Sequence, residues 1–315
     1  IVVNTCAVTA EGGRKSRQMI RKLREEHPQA LCAVCGCWSQ LSPEDAAAIG
    51  ADVVHGSGSK QAFVDDILRA FREHTPVTCV DNPFRRFDFE PLPAGAAYGR
   101  TRAMLKIQDG CNQFCSYCII PYVRGRIRSR SQEAILAEVS ELAEAGIKEV
   151  VLTGIHISSY GKDKNNEGAL IELIEAISKI KGIKRIRLGS LEPGIITEEF
   201  VERISSNSKV CPHFHLSLQS GCDSVLKRMN RKYTCKQYFE KCDMLRKAYK
   251  SPALTTDVIV GFPGETEEEF AETVRYLTEL NLYEMHIFKY SPRKGTVAAA
   301  MKEQVAPEIK NERSD

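Results

Sequence analysis

The sequence predicts a parallel α/β fold in two parts: a small Rossmann-like domain, followed by a partial (βα)6 barrel of the TIM type. Short apolar runs, suited to buried strands, alternate with segments of helical periodicity along most of the chain. The alternation stops once, between Pro76 and Arg102, where prolines and glycines replace any sustained apolar face. Such alternation implies parallel strands with right-handed crossovers, and the chemistry of these folds lies at the carboxyl ends of the strands.

The first domain is predicted over residues 1–80. Its apolar runs predict strands at 1–4, 30–34 and 51–54. A helix is predicted from about Thr9 until Pro28 stops it, and another over 61–71. Ser42 and Pro43 form an N-cap and first-turn pair, which predicts a further helix that Gly50 closes.

Residues 81–101 are predicted to be a linker, and residues 102–290 the second domain. Its predicted strands are 104–107, 150–152, 186–188, 214–218, 254–260 and 286–288. Its predicted helices are 132–145, 169–179, 198–205, 235–248 and 267–280. Residues 291–315 are charged and weakly periodic, and we expect them to connect to a further domain.

The composition excludes several classes of protein. The 315 residues carry 44 Lys+Arg against 41 Asp+Glu, a net charge of +3, with 43% hydrophobic and 27% charged residues, as in globular proteins and unlike disordered or fibrous ones. No apolar run approaches the roughly 20 residues that span a bilayer, and no signal peptide opens the chain. We therefore expect a cytoplasmic protein with no membrane partner. Because Ile1 lies inside an apolar run, we also expect that the natural chain begins further upstream.

Twelve cysteines are unusual for a chain without a secretory signal, and they point to metal or catalytic thiols. Cys111, Cys115 and Cys118 lie in one predicted loop after the first strand of the second domain. Three thiolates can bind three irons of a cubane cluster and leave the fourth iron for a cofactor or substrate. The alternatives are three unrelated thiols or a structural zinc site, which needs four ligands, and no second cysteine pair follows nearby.

This spacing, with Tyr117 before the third cysteine, resembles that of the radical S-adenosylmethionine (SAM) superfamily. Further motifs resemble the methylthiotransferase family along essentially the whole chain. They are VNTC (3–6), GCWSQ (36–40), CIIP (118–121), RG (124–125), RSR (128–130), LTGIH (152–156), YGKD (160–163), HLSLQSG (215–221), MNR (229–231), TDVIVGFPGET (256–266) and YSPR (290–293).

The resemblance implies a 4Fe-4S cluster on Cys111, Cys115 and Cys118, with SAM held at the strand ends. The candidate cofactor-binding residues are Tyr117, Gly154, Ser190, Glu192, Gln219, Arg231 and Gly261. For each glycine the alternative is an ordinary strand-to-helix turn. As a set at strand ends, these residues favour a binding site.

The resemblance also implies a second, auxiliary 4Fe-4S cluster on three cysteines of the amino-terminal domain. Cys6 and Cys37 match the family's second and third ligands, and the first ligand is expected upstream of Ile1. Cys35 is either a substitute ligand or a buried thiol. The remaining cysteines are predicted to be small core residues: Cys32, Cys79, Cys211, Cys222, Cys235 and Cys242.

Two weaker features concern a nucleic-acid substrate. In an extended segment the alternating residues Arg124, Arg126, Arg128 and Arg130 would face one way, either toward phosphates or as a solvated basic edge. His156 either lines a substrate pocket or caps a strand end.

The resemblance thus implies a tRNA methylthiotransferase. Radical chemistry would remove hydrogen from C2 of an adenosine beside the anticodon, the auxiliary cluster would supply sulfur, and a second SAM the methyl group. The implied partners are the tRNA anticodon stem-loop, an electron donor of the flavodoxin or ferredoxin type, and a sulfur donor. The base must be splayed out of the loop to react. The family ends in a small RNA-binding β-barrel, the TRAM domain, which we expect beyond residue 315.

The sequence of residues 152–156 and 158–161 is most similar to that of the branch acting on threonylcarbamoyladenosine. The branch acting on isopentenyladenosine is the first alternative, and the branch modifying a ribosomal-protein aspartate is the second. A non-catalytic iron–sulfur or zinc protein that binds RNA is the alternative from a different class.

Overall fold

The computed structural model of the protein describes residues 1–92 and 101–315, which form two compact units. Unit 1 comprises residues 1–87, 111–126 and 291–300, and unit 2 comprises residues 88–110, 127–290 and 301–315. Residues 93–100 of the predicted linker lie outside the described residues. The domain boundaries 1–80, 81–101, 102–290 and 291–315 stay a prediction. Unit 1 adds the predicted cysteine loop to the amino-terminal elements.

Unit 1 is built on a parallel sheet in the order β1-β2-β3-β4. The strands are β1 (Val2–Thr5), β2 (Ala33–Gly36), β3 (Val53–His55) and β4 (Val77–Cys79). The helices are α1 (Ala10–Glu26), α2 (Cys37–Leu41), α3 (Pro43–Ala48), α4 (Lys60–Glu73) and α5 (Ile120–Arg124). The three predicted strands and three predicted helices are present. The prediction missed β4 because a three-residue strand with one buried side chain, Val77, carries no periodicity.

Local chemistry explains where these helices begin. The Thr9 side chain accepts a hydrogen bond from the Gly12 amide at 3.0 Å and so caps α1. Ser59 caps α4 in the same way, through the Ala62 amide at 3.2 Å. Pro43 occupies the first turn of α3, as predicted.

Unit 2 contains six parallel strands and one short antiparallel strand. The strands are β5 (Arg102–Asp109), β6 (Arg128–Ser129), β7 (Glu149–Gly154), β8 (Arg185–Leu188), β9 (His213–His215), β10 (Ala253–Val260) and β11 (Glu284–Lys289). Parallel bridges between Ile186 and Val210 and between Leu191 and Leu216 connect β8 to the β9 region. The resulting order β5-β7-β8-β9-β10-β11, with β6 antiparallel to β5, is the predicted partial barrel.

Helices cover one face of this sheet. They are α6 (Gln132–Glu144), α7 (Ala169–Ser178), α8 (Glu198–Ser205), α9 (Asp223–Arg228), α10 (Cys235–Ala248), α11 (Glu267–Leu280) and α12 (Pro307–Ser314). A large apolar core runs between helices and strands, with Leu152, Ile174, Phe214 and Tyr238 fully buried. The opposite face of the strands carries the polar side chains and forms the lumen of the partial barrel. None of the helices in the described ranges has the length and apolar character needed to cross a membrane.

Candidate functional site

The three predicted cluster cysteines lie in one loop, residues 111–118, here called the cysteine loop. Within unit 1, the Cys111 amide donates to the Gly125 carbonyl at 3.0 Å, and the Cys118 amide donates to the Cys115 carbonyl at 2.9 Å. The Gln113 amide donates to Cys111 Sγ at 3.4 Å. Amide donors to sulfur stabilise thiolates, the form that binds iron.

Apolar groups fix the position of this loop. The ring of Phe114 stacks on Phe84 with centroids 6.5 Å apart, and both rings meet Tyr122 edge-on. Ile119 and Val123 are buried in the core of unit 1 together with Trp38. The loop is therefore a packed part of unit 1.

Cys6 and Cys37 leave the amino-terminal sheet at the same edge. Thr5 of β1 pairs with Gly36 of β2, and each cysteine is the residue directly after its strand. Gly36 has a φ of +111°, and a Cβ atom there would lie 2.4 Å from the Thr5 carbonyl oxygen. Only glycine fits this close approach, which is how the sequence holds Cys37 beside β1. We call the strand ends at Thr5 and Gly36, together with Cys6 and Cys37, the amino-terminal sheet edge.

Basic groups surround the amino-terminal sheet edge. Arg124 Nε lies 3.2 Å from Cys37 Sγ. Arg293 interacts electrostatically with Cys6, and burial lowers the pKa of its guanidinium. Arg293 Nε and Nη1 are buried and have no hydrogen-bond partner within the described residues. A 4Fe-4S cluster on thiolates is anionic, so these donors fit an iron–sulfur ligand at Cys6 and Cys37.

Cys35 has different surroundings from Cys37. It packs on the other side of the sheet, with Ala33 and Phe63, and burial raises the pKa of its thiol. Burial likewise raises the pKa of the six other cysteines that were predicted to be core residues: Cys32, Cys79, Cys211, Cys222, Cys235 and Cys242. Four of the six are buried and Cys235 is half-buried, but Cys79 is exposed at the end of the short strand β4, so the core prediction is wrong for Cys79. No disulfide joins any of the twelve cysteines in the described part of the chain.

In unit 2, Glu192 follows β8 and lies at the centre of a polar network. Its Oε2 is 3.2 Å from His156 Nε2, and its Oε1 is 3.8 Å from Arg231 Nη2. Burial alone would raise the pKa of Glu192, but His156 and Arg231 outweigh it and hold this pKa below its usual value. Glu192 is therefore an ionised carboxylate at the strand ends.

Ser190 and Arg231 extend the same network. Ser190 Oγ lies 2.8 Å from Ser217 Oγ, and Arg231 Nη2 donates to the Ser217 carbonyl at 3.3 Å. The Arg231 guanidinium also lies over the Tyr233 ring, 4.9 Å from its centroid. Three of the predicted cofactor-binding residues, Ser190, Glu192 and Arg231, thus meet in one cluster.

The other predicted positions lie at neighbouring strand ends. The Gln219 amide donates to the Asp257 carbonyl at 2.9 Å, and Gly261, with a φ of +69°, directly follows β10. The Gly261 amide donates to Glu265 Oε2 at 2.7 Å. Gly154 ends β7, and a Cβ atom there would lie 2.9 Å from the Gln108 carbonyl oxygen. Tyr117 belongs to the cysteine loop in unit 1 and is half-buried.

The four alternating arginines do not form one extended stripe, because each lies in a different local structure. Arg124 ends α5, and Arg126 is exposed. Arg128 is buried 3.6 Å from Asp109 Oδ2, and buried Arg130 pairs with Glu138. The alternation predicts that the four side chains share a face only if residues 124–130 are extended. Arg124 lies in α5 and a turn follows it, so the segment is not extended throughout.

Several groups that contact these positions were not predicted from the sequence. Lys310 of α12 lies against Gly261, where a Cβ atom would be 2.4 Å from its Cγ. Arg313 of α12 donates to Glu265 Oε2 at 2.7 Å. Both lie in a charged segment without clear periodicity, so nothing in the sequence marked them. Arg293 could have been found, since it belongs to the YSPR motif.

Two family models match the chain. The radical SAM superfamily model matches residues 105–277, and the model described as "Uncharacterized protein family UPF0004" matches residues 1–56.

Curated relatives extend over nearly the whole chain. The threonylcarbamoyladenosine tRNA methylthiotransferase MtaB of Bacillus subtilis is 44% identical over 313 residues, covering 99% of this chain and 69% of the relative. The protein of the same name from Thermotoga maritima is 39% identical over 315 residues, covering 100% and 71%. The tRNA-2-methylthio-N(6)-dimethylallyladenosine synthase of Clostridium tetani is 36% identical over 320 residues, covering 99% and 70%.

Solved structures support the fold. The radical S-adenosylmethionine methyltransferase TsrM of Kitasatospora setae, with cobalamin and a 4Fe-4S cluster bound, matches with a TM-score of 0.69 at 16% identity. That match covers 95% of this chain and 62% of the other. The same enzyme with tryptophan and a SAM analogue matches with a TM-score of 0.64 at 18% identity, covering 91% and 61%.

Proposed function

The chain belongs to the radical SAM superfamily and, within it, to the tRNA methylthiotransferase family, and on this premise we propose that it converts threonylcarbamoyladenosine in tRNA to its 2-methylthio derivative. The observation that carries the choice of substrate is the 44% identity to the B. subtilis enzyme named for that nucleoside, over 99% of the chain. The dimethylallyladenosine synthases reach 35–38% over similar lengths. Because the solved TsrM chains are only 16–18% identical to this chain, those structures support the fold alone; the chain spans 61–62% of their length.

We assign Cys111, Cys115 and Cys118 as ligands of a 4Fe-4S cluster whose fourth iron binds SAM. With SAM, such a cluster supplies a radical able to take hydrogen from an unactivated carbon. The chain's own contribution is to hold the three thiols in one packed loop. The Gln113 amide and the Phe114 ring support that role, because the first donates to Cys111 sulfur and the second anchors the loop.

We assign Cys6 and Cys37 to the auxiliary cluster, which would supply the sulfur. Their support is the pairing of Thr5 with Gly36 and the contact of Arg124 with Cys37. Arg293 adds buried donors that suit an anion next to Cys6.

In unit 2 we assign SAM binding to the network around Glu192. The ionised Glu192 suits ribose hydroxyls or the SAM ammonium group, and Arg231 suits the carboxylate. Ser190, Gln219, Gly154 and Gly261 would supply polar contacts and close backbone approach, with Tyr117 next to the third cluster ligand. His156, held by Glu192, is the substrate-facing candidate of this network, and exposed Arg126 is the best placed of the four arginines for a tRNA phosphate.

The reaction needs partners that are also part of the proposal. An electron donor of the flavodoxin or ferredoxin type would reduce the cluster, and a sulfur donor would replenish the auxiliary one. The substrate would be the tRNA anticodon stem-loop, and we place the reaction in the cytoplasm.

The test uses anaerobically reconstituted protein with dithionite, SAM and tRNA bearing either threonylcarbamoyladenosine or isopentenyladenosine. Mass spectrometry of the nucleosides should show the 2-methylthio product from the first tRNA. If only the isopentenyladenosine tRNA is methylthiolated, the proposed substrate is wrong, while the assignment to the methylthiotransferase family stands.

A second arm tests the cluster ligands. The Cys118→Ala variant should lose cleavage of SAM to deoxyadenosine, while Cys79→Ala, which removes an exposed thiol outside the site, should keep it. Deoxyadenosine production by Cys118→Ala would contradict the cluster assignment.

A further inference from the structure

We propose that unit 2 carries a zinc site, separate from the iron–sulfur clusters and formed by His215, Asp257 and His286. One potential ligand atom of each side chain lies within 4.8 Å of the other two. Unlike the cluster assignments, this inference rests on residues with no role in the proposed reaction.

The register of three neighbouring strands brings the side chains together. Asp257 of β10 pairs with His286 of β11, and His215 of β9 pairs with Thr255 of β10. Asp257 is two residues after Thr255, so both side chains lie on one face of β10. This face is the lumen side, opposite the face on which Phe214 and Leu254 enter the core.

The contacts of His215 allow the tautomer that binds a cation at this position. His215 Nδ1 is 3.0 Å from Thr255 Oγ1. When Nδ1 carries the proton and donates to the threonine, the Nε2 lone pair faces the Asp257 carboxylate, and the two repel each other. A ligating histidine is held in this way in most zinc sites, with its other nitrogen donating to a neighbouring oxygen.

The distance between the two groups fits a shared ion. His215 Nε2 and Asp257 Oδ2 are 3.4 Å apart. Hydrogen bonds from nitrogen to oxygen are about 2.7–3.2 Å long, whereas two ligands on a tetrahedral zinc ion are separated by roughly 3.3 Å, given bonds of about 2.0–2.1 Å. The His286 ring stacks near His215 with centroids 6.0 Å apart and completes the set.

The ligand types point to zinc. Two imidazole nitrogens and one carboxylate oxygen form a borderline ligand set. Such a set binds first-row divalent cations in preference to magnesium or calcium. Three protein ligands leave a fourth tetrahedral position for water. His286 is exposed, so an ion can enter from solvent.

The zinc site would connect three strands, including the exposed edge strand β11. All six residues of the edge strand β11 are exposed. Zinc bound across β9, β10 and β11 would stabilise this edge. His215 and Asp257 each lie four residues before a predicted cofactor-binding residue, Gln219 and Gly261, so the ion would also hold the strands that carry those positions.

A second set with similar spacing provides the comparison. Ligand atoms of His55, Asp66 and Cys79 also lie within 4.8 Å of one another. There Asp66 already pairs with His55 at 3.1 Å and with Arg69 at 3.0 Å. Burial and the Asp66 carboxylate raise the pKa of Cys79, so its proton is harder for a metal ion to displace, and this set is the weaker candidate.

The test measures zinc per chain in reconstituted holoenzyme of known iron content, after loading with Zn²⁺ and desalting. His286→Ala removes an exposed side chain, and Asp257→Asn keeps the side-chain shape. Each should lower the zinc content by one ion per chain, while Cys79→Ala and His27→Ala should not change it. Zinc should also raise the melting temperature of the wild-type protein and leave that of His286→Ala unchanged.

A cobalt titration identifies the ligands. Co²⁺ at this site should give visible d–d bands without the near-ultraviolet sulfur-to-cobalt band that cysteine ligation produces. Equal zinc content in wild type and His286→Ala, or zinc lost only with Cys79→Ala, would overturn the proposal. Absence of zinc from the wild type would also overturn it and leave His215 and Asp257 as an ion pair.

Discussion

Arginines at the carboxyl edges of the two sheets have opposite surroundings. In unit 1, Arg124 contacts Cys37 sulfur, and Arg293 has two buried N–H groups without a hydrogen-bond partner in the described ranges. In unit 2, Arg231 and Arg313 lie next to the carboxylates of Glu192 and Glu265. The arginines at the edge in unit 1 therefore suit an anionic group. At the edge in unit 2, the protein's own carboxylates balance the positive charge of the arginines.

This difference fits the two kinds of ligand that we propose for the two units. A cluster held by thiolates is anionic and gains from nearby donors. SAM carries positive and negative groups together, so a strand edge with paired charges can satisfy both. The following predictions test this contrast, starting with the largest expected effect.

The strongest test in unit 2 is Arg313→Met. Arg313 is buried and donates to Glu265 at 2.7 Å, and burial raises the pKa of Glu265 even though Arg313 and the Gly261 amide bond to it. Removing one partner of a buried pair leaves an uncompensated charge, which costs about 3–5 kcal/mol. Urea denaturation should show that loss in the free energy of unfolding.

The double variant Arg313→Met/Glu265→Gln is the control for charge balance. It leaves no unpaired buried charge, so most of the lost free energy should return. An equal loss in the single and double variants would show that packing of α12, and not charge pairing, stabilises this edge.

In unit 1 the corresponding change is Arg293→Met, and here the effects on stability and on iron should have opposite signs. The apoprotein should gain about 1 kcal/mol of stability, because two buried donors without a partner are removed. The reconstituted protein should retain less iron, because donors near Cys6 are lost. The measurements are apoprotein unfolding and iron per chain after desalting. A less stable apoprotein would contradict the contrast drawn here.

The sequence was most informative where the chemistry is local. The cysteine spacing and the helix starts near Thr9 and at Pro43 are defined within a few residues, and each is present in the structure, although the side chain of Ser42, the predicted N-cap, makes no capping hydrogen bond. Five of the six parallel strands followed from apolar runs, because burial of a strand leaves a direct record in residue type. The sixth, β11, was predicted from its apolar residues Ile287 and Phe288, although both are exposed.

Features that depend on register or on weak segments could not be predicted. Glu192 meets His156 and Arg231 only because β7, β8 and the β9 region are neighbours, and no local pattern encodes that pairing. The arginine alternation was misleading because α5 ends at Arg124, Arg126 is exposed, and Arg128 and Arg130 lie in buried ion pairs. Helix α12 was missed because its sequence is charged and has little apolar periodicity.

The variant Glu192→Gln tests the charge balance in unit 2 through the pH dependence of the free energy of unfolding. The pKa of Glu192 is lowered in the folded protein from its usual 4.5, so its ionised form stabilises the fold. That contribution is complete above about pH 4.5 and is lost as the pH falls through the lowered pKa. The variant should be less stable by about 1 kcal/mol at pH 7, and the difference should shrink under acid. A difference that stays constant between pH 7 and pH 3 would show that the carboxylate charge is not involved.

The smallest expected effect concerns Cys79, an exposed thiol beside a carboxylate. Burial raises its pKa, and Asp66 raises it further, so little thiolate forms near pH 8. Asp66→Asn removes the negative charge and should increase the rate of alkylation by iodoacetamide at pH 8 a few-fold, with peptide mass spectrometry reporting modification at each site. Cys6, exposed in the same unit and close to Arg293, should alkylate at an unchanged rate in this variant. If Asp66→Asn leaves the rate at Cys79 unchanged, local burial rather than charge controls this thiol, and the electrostatic contrast then applies only to cysteines next to arginines.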